Sequence, residues 1–394
     1  MATGPHVAII GGAAMGSSLA CHLLMDPAFS GRVTVIEKDM TYVRSATALS
    51  AASIRQQFST RVNIEASLYG VAFMRSLGEK LAVGAERPEI GLREGGYLYL
   101  TTQAGAQMLR EANALQREAG ADILLLDPQA LRARFPWLAA DDIALGSWGR
   151  SGEGWYDGWG LLQAYRKKAR DRGAAYVSGA AAGFTMAGDR IAAVRLADGA
   201  TIDADVVVNC AGASGGRRVA AFAGVDIPVY AKKRCVFSWT CPEPIENAPL
   251  LIDTSGVWFR PEGDGFIGGF SPDDGDMTDA GDDFEVNWPE WDEVVWPAVA
   301  ARVPVFERAR HGRAWAGHYD MNLFDHNAIV GPAPGVANFY LCNGFSGHGL
   351  QQSPAVGRGI AELLVHGRYV TLDLSDFSYD RLVRNAPLIE RNVI

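Results

Sequence analysis

Within its first 37 residues the chain sets out a pattern that few architectures accommodate. Residues 7–10 (Val-Ala-Ile-Ile) form a short apolar run of strand type, Gly11-Gly12-Ala13-Ala14-Met15-Gly16 follows at once, and an apolar-periodic segment then runs from Leu19 to Met25. Asp26-Pro27 and Gly31 close that helix, and residues 32–36 (Arg-Val-Thr-Val-Ile) read as a second buried strand ending on Glu37. A strand-helix-strand unit of about 30 residues closes as two parallel strands with the helix on one face. The turn needs glycine to be tight, small residues where backbone approaches a ligand, and free N–H groups at the helix start to attract an anion. Gly11 and Gly16 meet the first and last demands, while Ala13 stands where a middle glycine is usual and adds one methyl. Glu37, 21 residues after Gly16, is placed to accept hydrogen bonds from ribose hydroxyls and to repel a 2′-phosphate. The expectation is a dinucleotide site built from Gly11, Gly12, Ala13, Ala14, Met15, Gly16, Glu37 and its neighbour Lys38, and this motif alone suits NAD as well as FAD.

Composition narrows the class. With 394 residues, 48% of them hydrophobic, the chain has material for a sizeable core and for two or three domain-sized units. Forty-five glycines and 18 prolines fit a loop-rich α/β protein better than a helical bundle. A net charge of -9 lacks the basic footprint that a phosphate backbone demands, so nucleic acid is excluded as the expected partner. That charge is local: 12 acidic residues and no lysine or arginine lie between Arg260 and Arg302, and the -9 becomes +3 once those 12 are set aside. The stretch reads as a solvated face, with docking of an electron acceptor as the alternative. No apolar run approaches the ~18 residues that span a bilayer, and the N-terminus has no basic run before an apolar one. A cytoplasmic protein without a membrane span is expected. The five cysteines are odd in number and show no Cys-x-x-Cys, which favours reduced, buried thiols over a disulfide framework or a metal site.

Further along, residues 44–58 are rich in small and hydroxyl side chains, which either let backbone approach a flat ligand or simply begin a helix. Helical patterns follow at 62–80, 104–118 and 160–172, and a short helical turn at 127–137. Strands are expected at 96–100, 175–178, 190–196 and 205–209. Residues 206–213 (Val-Val-Val-Asn-Cys-Ala-Gly-Ala) look like a second strand-turn-helix approach to the same ligand. A strand-rich region begins near Pro228 and extends to about Gly317, and a buried strand at 338–342 leads through Asn343-Gly-Phe-Ser-Gly-His-Gly-Leu350 into a helix expected from about 354 to 364. Nucleotide-binding features at the start, middle and end imply a discontinuous cofactor domain interrupted by insertions.

Four segments together resemble the FAD-dependent amine oxidoreductases of the D-amino-acid oxidase superfamily, which holds sarcosine, dimethylglycine and glycine oxidising enzymes: 9–16 with Glu37, 45–58, 206–212, and Gly344-Phe-Ser-Gly-His-Gly349. The last is the most specific and the first the least. Residues 45–59, 315–320 and 344–349 look closest to a branch of FAD-dependent oxidoreductase domain proteins linked to respiratory-complex assembly. The resemblance covers essentially the whole chain and implies an α/β (α+β) fold of D-amino-acid-oxidase or glutathione-reductase type. Its Rossmann-like FAD-binding domain would comprise 1–86, 146–224 and 325–394, and its mixed-sheet substrate domain 87–145 and 225–324.

The resemblance also implies roles. Gly11–Gly16 would hold the FAD pyrophosphate and Glu37 the adenosine ribose; Ser45, Ala46, Thr47, Ser50, Ala51, Ala52, Ser53 and Ile54 would lie against the ribityl chain and flavin, with Ala181, Cys210, Ala211 and Gly212 completing the site. Gly347, His348, Gly349, Leu350 and Gln351 would lie beside the isoalloxazine ring. Gly317 stands where several members carry a cysteine that tethers FAD, so FAD is expected to be non-covalent. Ile267 stands where sarcosine oxidases keep a lysine that promotes reaction with oxygen, and Gln351 where they keep a lysine for the substrate carboxylate, so either oxygen or an electron-acceptor protein could take the electrons. Trp258 and Arg260 alternate on a strand and should share a face, giving an aromatic wall and a planar cation suited to a carboxylate. Tyr319 matches a substrate-cage tyrosine. His348, flanked by glycines, and Arg55, amid small residues, are expected to act electrostatically on the flavin. Oxidation of a C–N bond of a secondary amine or N-substituted amino acid is the implied reaction, with an FAD-binding assembly factor as the alternative.

Overall fold

The N-terminal apolar run forms strand β1 (His6–Ile10), with all five residues buried, in a computed structural model that describes residues 4–272 and 277–392. It sits at the centre of a six-stranded sheet with β2 (Arg32–Glu37), β3 (Ala175–Ser178), β4 (Val206–Asn209), β5 (Ile329–Pro332) and β6 (Phe339–Asn343), in the order β5-β6-β4-β1-β2-β3. All neighbours run parallel except β5 with β6. Strands buried on both faces read as continuous apolar runs, which is why the sequence shows no alternation here. The helices that bear on the site are α1 (Ala14–Met25), α2 (Ala46–Leu49), α3 (Arg61–Arg75), α4 (Gly158–Asp171), α5 (Gly212–Ala221) and α6 (Gly349–His366). Side chains of α1, α3, α4 and α6 share one core with β1 and β2, while a three-stranded antiparallel sheet (Ala181–Ala187, Arg190–Leu196, Thr201–Asp203) and α5 cover the other face.

A second sheet of eight strands gathers the two inserted regions. Its order is Arg310–Asn322, Val229–Thr240, Gly265–Phe270, Val257–Glu262, Leu250–Ile252, Tyr97–Thr101, Leu145–Gly149, Ile123–Leu126. Alternation sends Phe237, Phe259 and Phe266 to an outer aromatic core with Trp239, Trp291 and Phe306. The intervening Val236, Trp258 and Ile267 go to the opposite face, with Tyr97, Leu250 and Ile252 packed against Ala51. Burying each of those phenylalanines contributes about 1.5–3 kcal/mol, which makes the sheet a firm wall beside the cofactor-type domain. Residues 146–149, where the middle piece of the cofactor domain was expected to begin, belong to strand Leu145–Gly149, which pairs with Tyr97–Thr101 and Ile123–Leu126.

Two expected helices differ. The 62–80 pattern divides into α3 and a single turn at Leu77–Lys80. Helix α6 begins five residues before Pro354, and Ser353 Oγ donates to the carbonyl of Leu350 (2.9 Å), the acceptor that proline's missing N–H would have left open. No helix among the described residues is long and apolar enough to cross a membrane.

Candidate active site

The β1–α1 turn is closed by glycines for measurable reasons. Gly11 has φ +100°, and a Cβ there would lie 2.2 Å from the carbonyl of Cys210; a Cβ on Gly16 would lie 1.9 Å from the carbonyl of Gly11. Ala13 caps α1 with no side-chain hydrogen bond, so the helix presents backbone donors to the space beside it. Glu37 reaches this turn from β2: Oε2 accepts the N–H of Gly12 (2.8 Å) and Oε1 that of Asp39 (2.9 Å). Gly12 and Gly16 thus shape the turn from behind rather than from its open side.

In front of the turn lies a cavity of about 400 Å³ that follows the C-terminal edge of the parallel sheet and ends on the eight-stranded sheet. It brings together Gly11, Ala13, Ala14, Met15, Glu37 and Lys38 at one end, Ser45, Ala46, Thr47, Ser50, Ala51, Cys210, Ala211 and Gly212 along its length, and Trp258, Gly317, Tyr319, Gly347, Gly349 and Leu350 at the other. Such a place, at the carboxyl ends of parallel strands, is where open α/β sheets bind ligands. The capping turn of α2 helps to build the wall: Ser45 Oγ accepts the N–H of Ala48 (3.1 Å), and Thr47 Oγ1 accepts that of Ala14 (3.2 Å).

The other expected site residues do not line it. Arg260 turns away, Nη2 and Nε donating to the carbonyl of Ala51 (2.7 and 3.2 Å) and Nη1 to Glu262. Ala52, at φ +49°, bends the chain so that the Ala51 carbonyl faces this strand, and the guanidinium satisfies it. His348 and Arg55 lie one layer behind the wall, Arg55 Nη2 donating to His348 Nε2 (3.1 Å). Gln351, three residues after His348 and therefore on the same side of α6, accepts the N–H of Arg55 (2.9 Å). Ile54 is fully buried in the core, Ser53 accepts from the Tyr97 hydroxyl (2.8 Å), and both lie in a short strand paired with Gly154–Trp155. Ala52 packs in the same core as Ile54. Ala181 does not line the cavity; it starts an edge strand of the three-stranded sheet.

Several lining residues escaped the sequence reading: Arg44, Arg234, Phe284, His318 and Asp320. Arg234 closes the end that holds Tyr319, its guanidinium 5.2 Å from that ring's centre, and its strand pairs with the one carrying Gly317. A basic run, Lys232-Lys233-Arg234, inside an otherwise apolar strand was the available signal. Phe284 stacks on His318 (4.1 Å between centres) beneath Arg44, at the mouth.

Burial sets the acid–base character around the cavity. It pushes the Asp320 carboxyl up to about 6, against the N–H that Gly344 donates to it. His348 is held well below the usual imidazole range, first by burial and then by the charge of Arg55. Glu153, fully buried behind Gln56 and Gln57, is raised from 4.5 to about 7 by the same desolvation. Its folded form therefore keeps a proton that the unfolded chain releases, so stability present at pH 4.5 is lost as pH rises towards 7. Glu153→Gln is expected to remove about 3 kcal/mol of that loss; denaturant midpoints of both proteins at pH 5 and pH 8 measure it, and parallel pH profiles would contradict it.

Compared with known proteins, residues 6–363 match the family described as FAD dependent oxidoreductase, DAO. The chain belongs to the DAO family of FAD-dependent oxidoreductases. It is 40% identical over 423 residues to FAD-dependent oxidoreductase domain-containing protein 1 of Xenopus laevis, covering 98% of this chain and 84% of that one. It is 24% identical over 376 residues to the mitochondrial sarcosine dehydrogenase of Homo sapiens, covering 92% of this chain and 40% of that one. Among solved structures, L-proline dehydrogenase from P. horikoshii superposes with a TM-score of 0.84 at 24% identity, covering 98% of this chain and all of that one. The DAO-family fold, foreseen from the four segments, therefore holds, and FAD is its cofactor. The cavity fits that group: a turn with no room for a Cβ at Gly11 or Gly16, a helix start without a side-chain cap, and Glu37 beside it.

Proposed function

We propose that this DAO-family protein oxidises the C–N bond of a secondary amine or N-substituted amino acid of sarcosine, dimethylglycine or iminodiacetate type, giving an imine that water converts to an amine and a carbonyl compound. The observation that carries this reading is the far end of the cavity, where Trp258, Tyr319 and Arg234 meet beside Gly347 and Gly349. FAD, when bound, supplies the acceptor for the hydride equivalent. Backbone donors at the start of α1 would hold its pyrophosphate and Glu37 its ribose. The protein's remaining task is to hold a neutral amine in line and exclude water. Trp258 and Tyr319 bound the substrate sterically, and Arg234 brings a positive charge to the cavity wall that favours a carboxylate-bearing substrate. Gly317 presents no side chain for a covalent tether.

Ile267, buried in the apolar face with Trp258 and Val236, supplies no lysine of the kind that promotes reaction with oxygen. A protein or other acceptor then suits better. The test is anaerobic mixing of the FAD-loaded protein with sarcosine, dimethylglycine, iminodiacetate and proline, followed by air. At least one amine should bleach the flavin, and colour should return slowly in air but quickly with an added dye acceptor. A flavin that none of them bleaches contradicts the amine reading, and rapid return in air contradicts the inference from Ile267.

A further inference from the structure

Arg55 is 2% exposed, yet the partners of its guanidinium are carbonyls and an imidazole rather than a carboxylate. Nη1 donates to the carbonyl of Gln57 (2.5 Å), and Nη2 donates both to His348 Nε2 (3.1 Å) and to the carbonyl of Asn392. The ring of Phe58 lies 4.2 Å below it and meets His348 edge-on at 4.9 Å. The result is a buried positive charge one residue behind Gly347 and Gly349, which line the cofactor cavity. One wall of its cage comes from the far end of the described chain. Asn392 covers it twice, through its own carbonyl and through Nδ2, which donates to the same Gln57 carbonyl (3.0 Å).

What holds Asn392 there is Glu390, whose carboxylate is completely buried. It accepts from the backbone N–H of Ser59 (2.8 Å), Thr60 (3.2 Å) and Asn392 (3.0 Å), from the hydroxyls of Ser59 (2.7 Å) and Thr60 (2.9 Å), and from Asn63 Nδ2 (3.0 Å). Thr60 is the N-cap of α3 and makes no side-chain cap of its own; the carboxylate binds the N–H of Thr60 and of Ser59 before it, at the end of the helix where its dipole favours a negative charge. Upstream, Asp325 ties the segment down by accepting the N–H of Leu388 (3.0 Å) and pairing with Arg381 (2.6 Å). A carboxylate satisfied by six donors is a costly group to bury for packing alone, and its effect is to deliver a carbonyl to Arg55.

We propose that residues 390–392 are a positioning element for Arg55, and that through this contact the segment helps to set the reduction potential of FAD in the site. Reduction adds negative charge to the cofactor, so a fixed, buried cation nearby favours it, and a cation that can relax away favours it less. The inference rests on the FAD site and not on the choice of amine. The test is the two-electron midpoint potential of the FAD-loaded protein, measured by dye equilibration without substrate. Removal of residues 389–394 should make reduction about tenfold less favourable, a shift of ~30 mV to lower potential. Asn392→Gly, which removes the Nδ2 bond to the Gln57 carbonyl without changing any charge, should shift it in the same direction and serves if the shortened chain does not fold. In an Arg55→Gln background neither change should have a further effect. Arg302→Lys, which weakens the ion pairs to Asp142 and Asp253 in the loops beside the eight-stranded sheet, should lower thermal stability and leave the potential alone. An unchanged potential on loss of the segment, or an equal shift in the Arg55→Gln background, would overturn the proposal.

Discussion

Gly16→Val yields a colourless protein. The added Cβ would lie 1.9 Å from the carbonyl of Gly11 and 3.1 Å from Ile9, and the first of these is backbone that cannot rotate away. Relief comes only by lifting the first turn of α1 off β1, which disperses the backbone donors that the turn gathers for an anion. The same movement breaks the hydrogen bond from Ala14 to Thr47, so the wall formed by residues 45–51 loosens with it. The expected result is that FAD added in micromolar excess is lost on gel filtration, whereas the wild-type protein retains about one equivalent. The fold survives, because the outer aromatic core and the eight-stranded sheet lie elsewhere. A valine variant that keeps its yellow colour would show that the turn does not carry the cofactor.

Arg234→Met loses anionic amines and keeps neutral ones. Arg234 is the arginine lining the cavity at its Tyr319 end, and a charge-assisted bond to a carboxylate contributes about 1.5–3 kcal/mol. The variant should therefore lower kcat/KM for a carboxylate-bearing amine by ~10²-fold, while a neutral N-methyl amine of similar size changes little. Arg234→Lys should recover only part, since an ammonium lacks the planar guanidinium fork. Equal losses for charged and neutral amines would mean that Arg234 supports the cavity rather than recognising the substrate.

The contrast between Arg234 and Arg260 explains how much of this site could be read from sequence. The β1–α1–β2 unit was legible because its glycines and Glu37 have few alternative uses, the segments 45–51 and 210–212 because small residues in series imply close approach, and Gly347, Gly349 and Leu350 only through the family resemblance. Alternation correctly gave Trp258 its face. It could not say that the carbonyl of Ala51 would claim Arg260, since that contact spans 209 residues and depends on the positive φ of Ala52. Likewise, glycines around His348 suggested a ligand, but the start of α6 turns positions 348 and 351 inward together and leaves 349 and 350 on the wall. Arg234 hid in a basic run that reads as a solvated strand edge. The cage around Arg55 was beyond reach, because a segment more than 300 residues away completes it.

The most direct test of the central claim is an anaerobic titration of the FAD-loaded protein with sarcosine, following the flavin band and the carbonyl product together. One equivalent of amine should bleach one equivalent of flavin and release one equivalent of formaldehyde, with dimethylglycine or iminodiacetate giving the matching aldehyde or oxo acid if sarcosine fits poorly. Unchanged flavin colour and no carbonyl product from any of the three would contradict it.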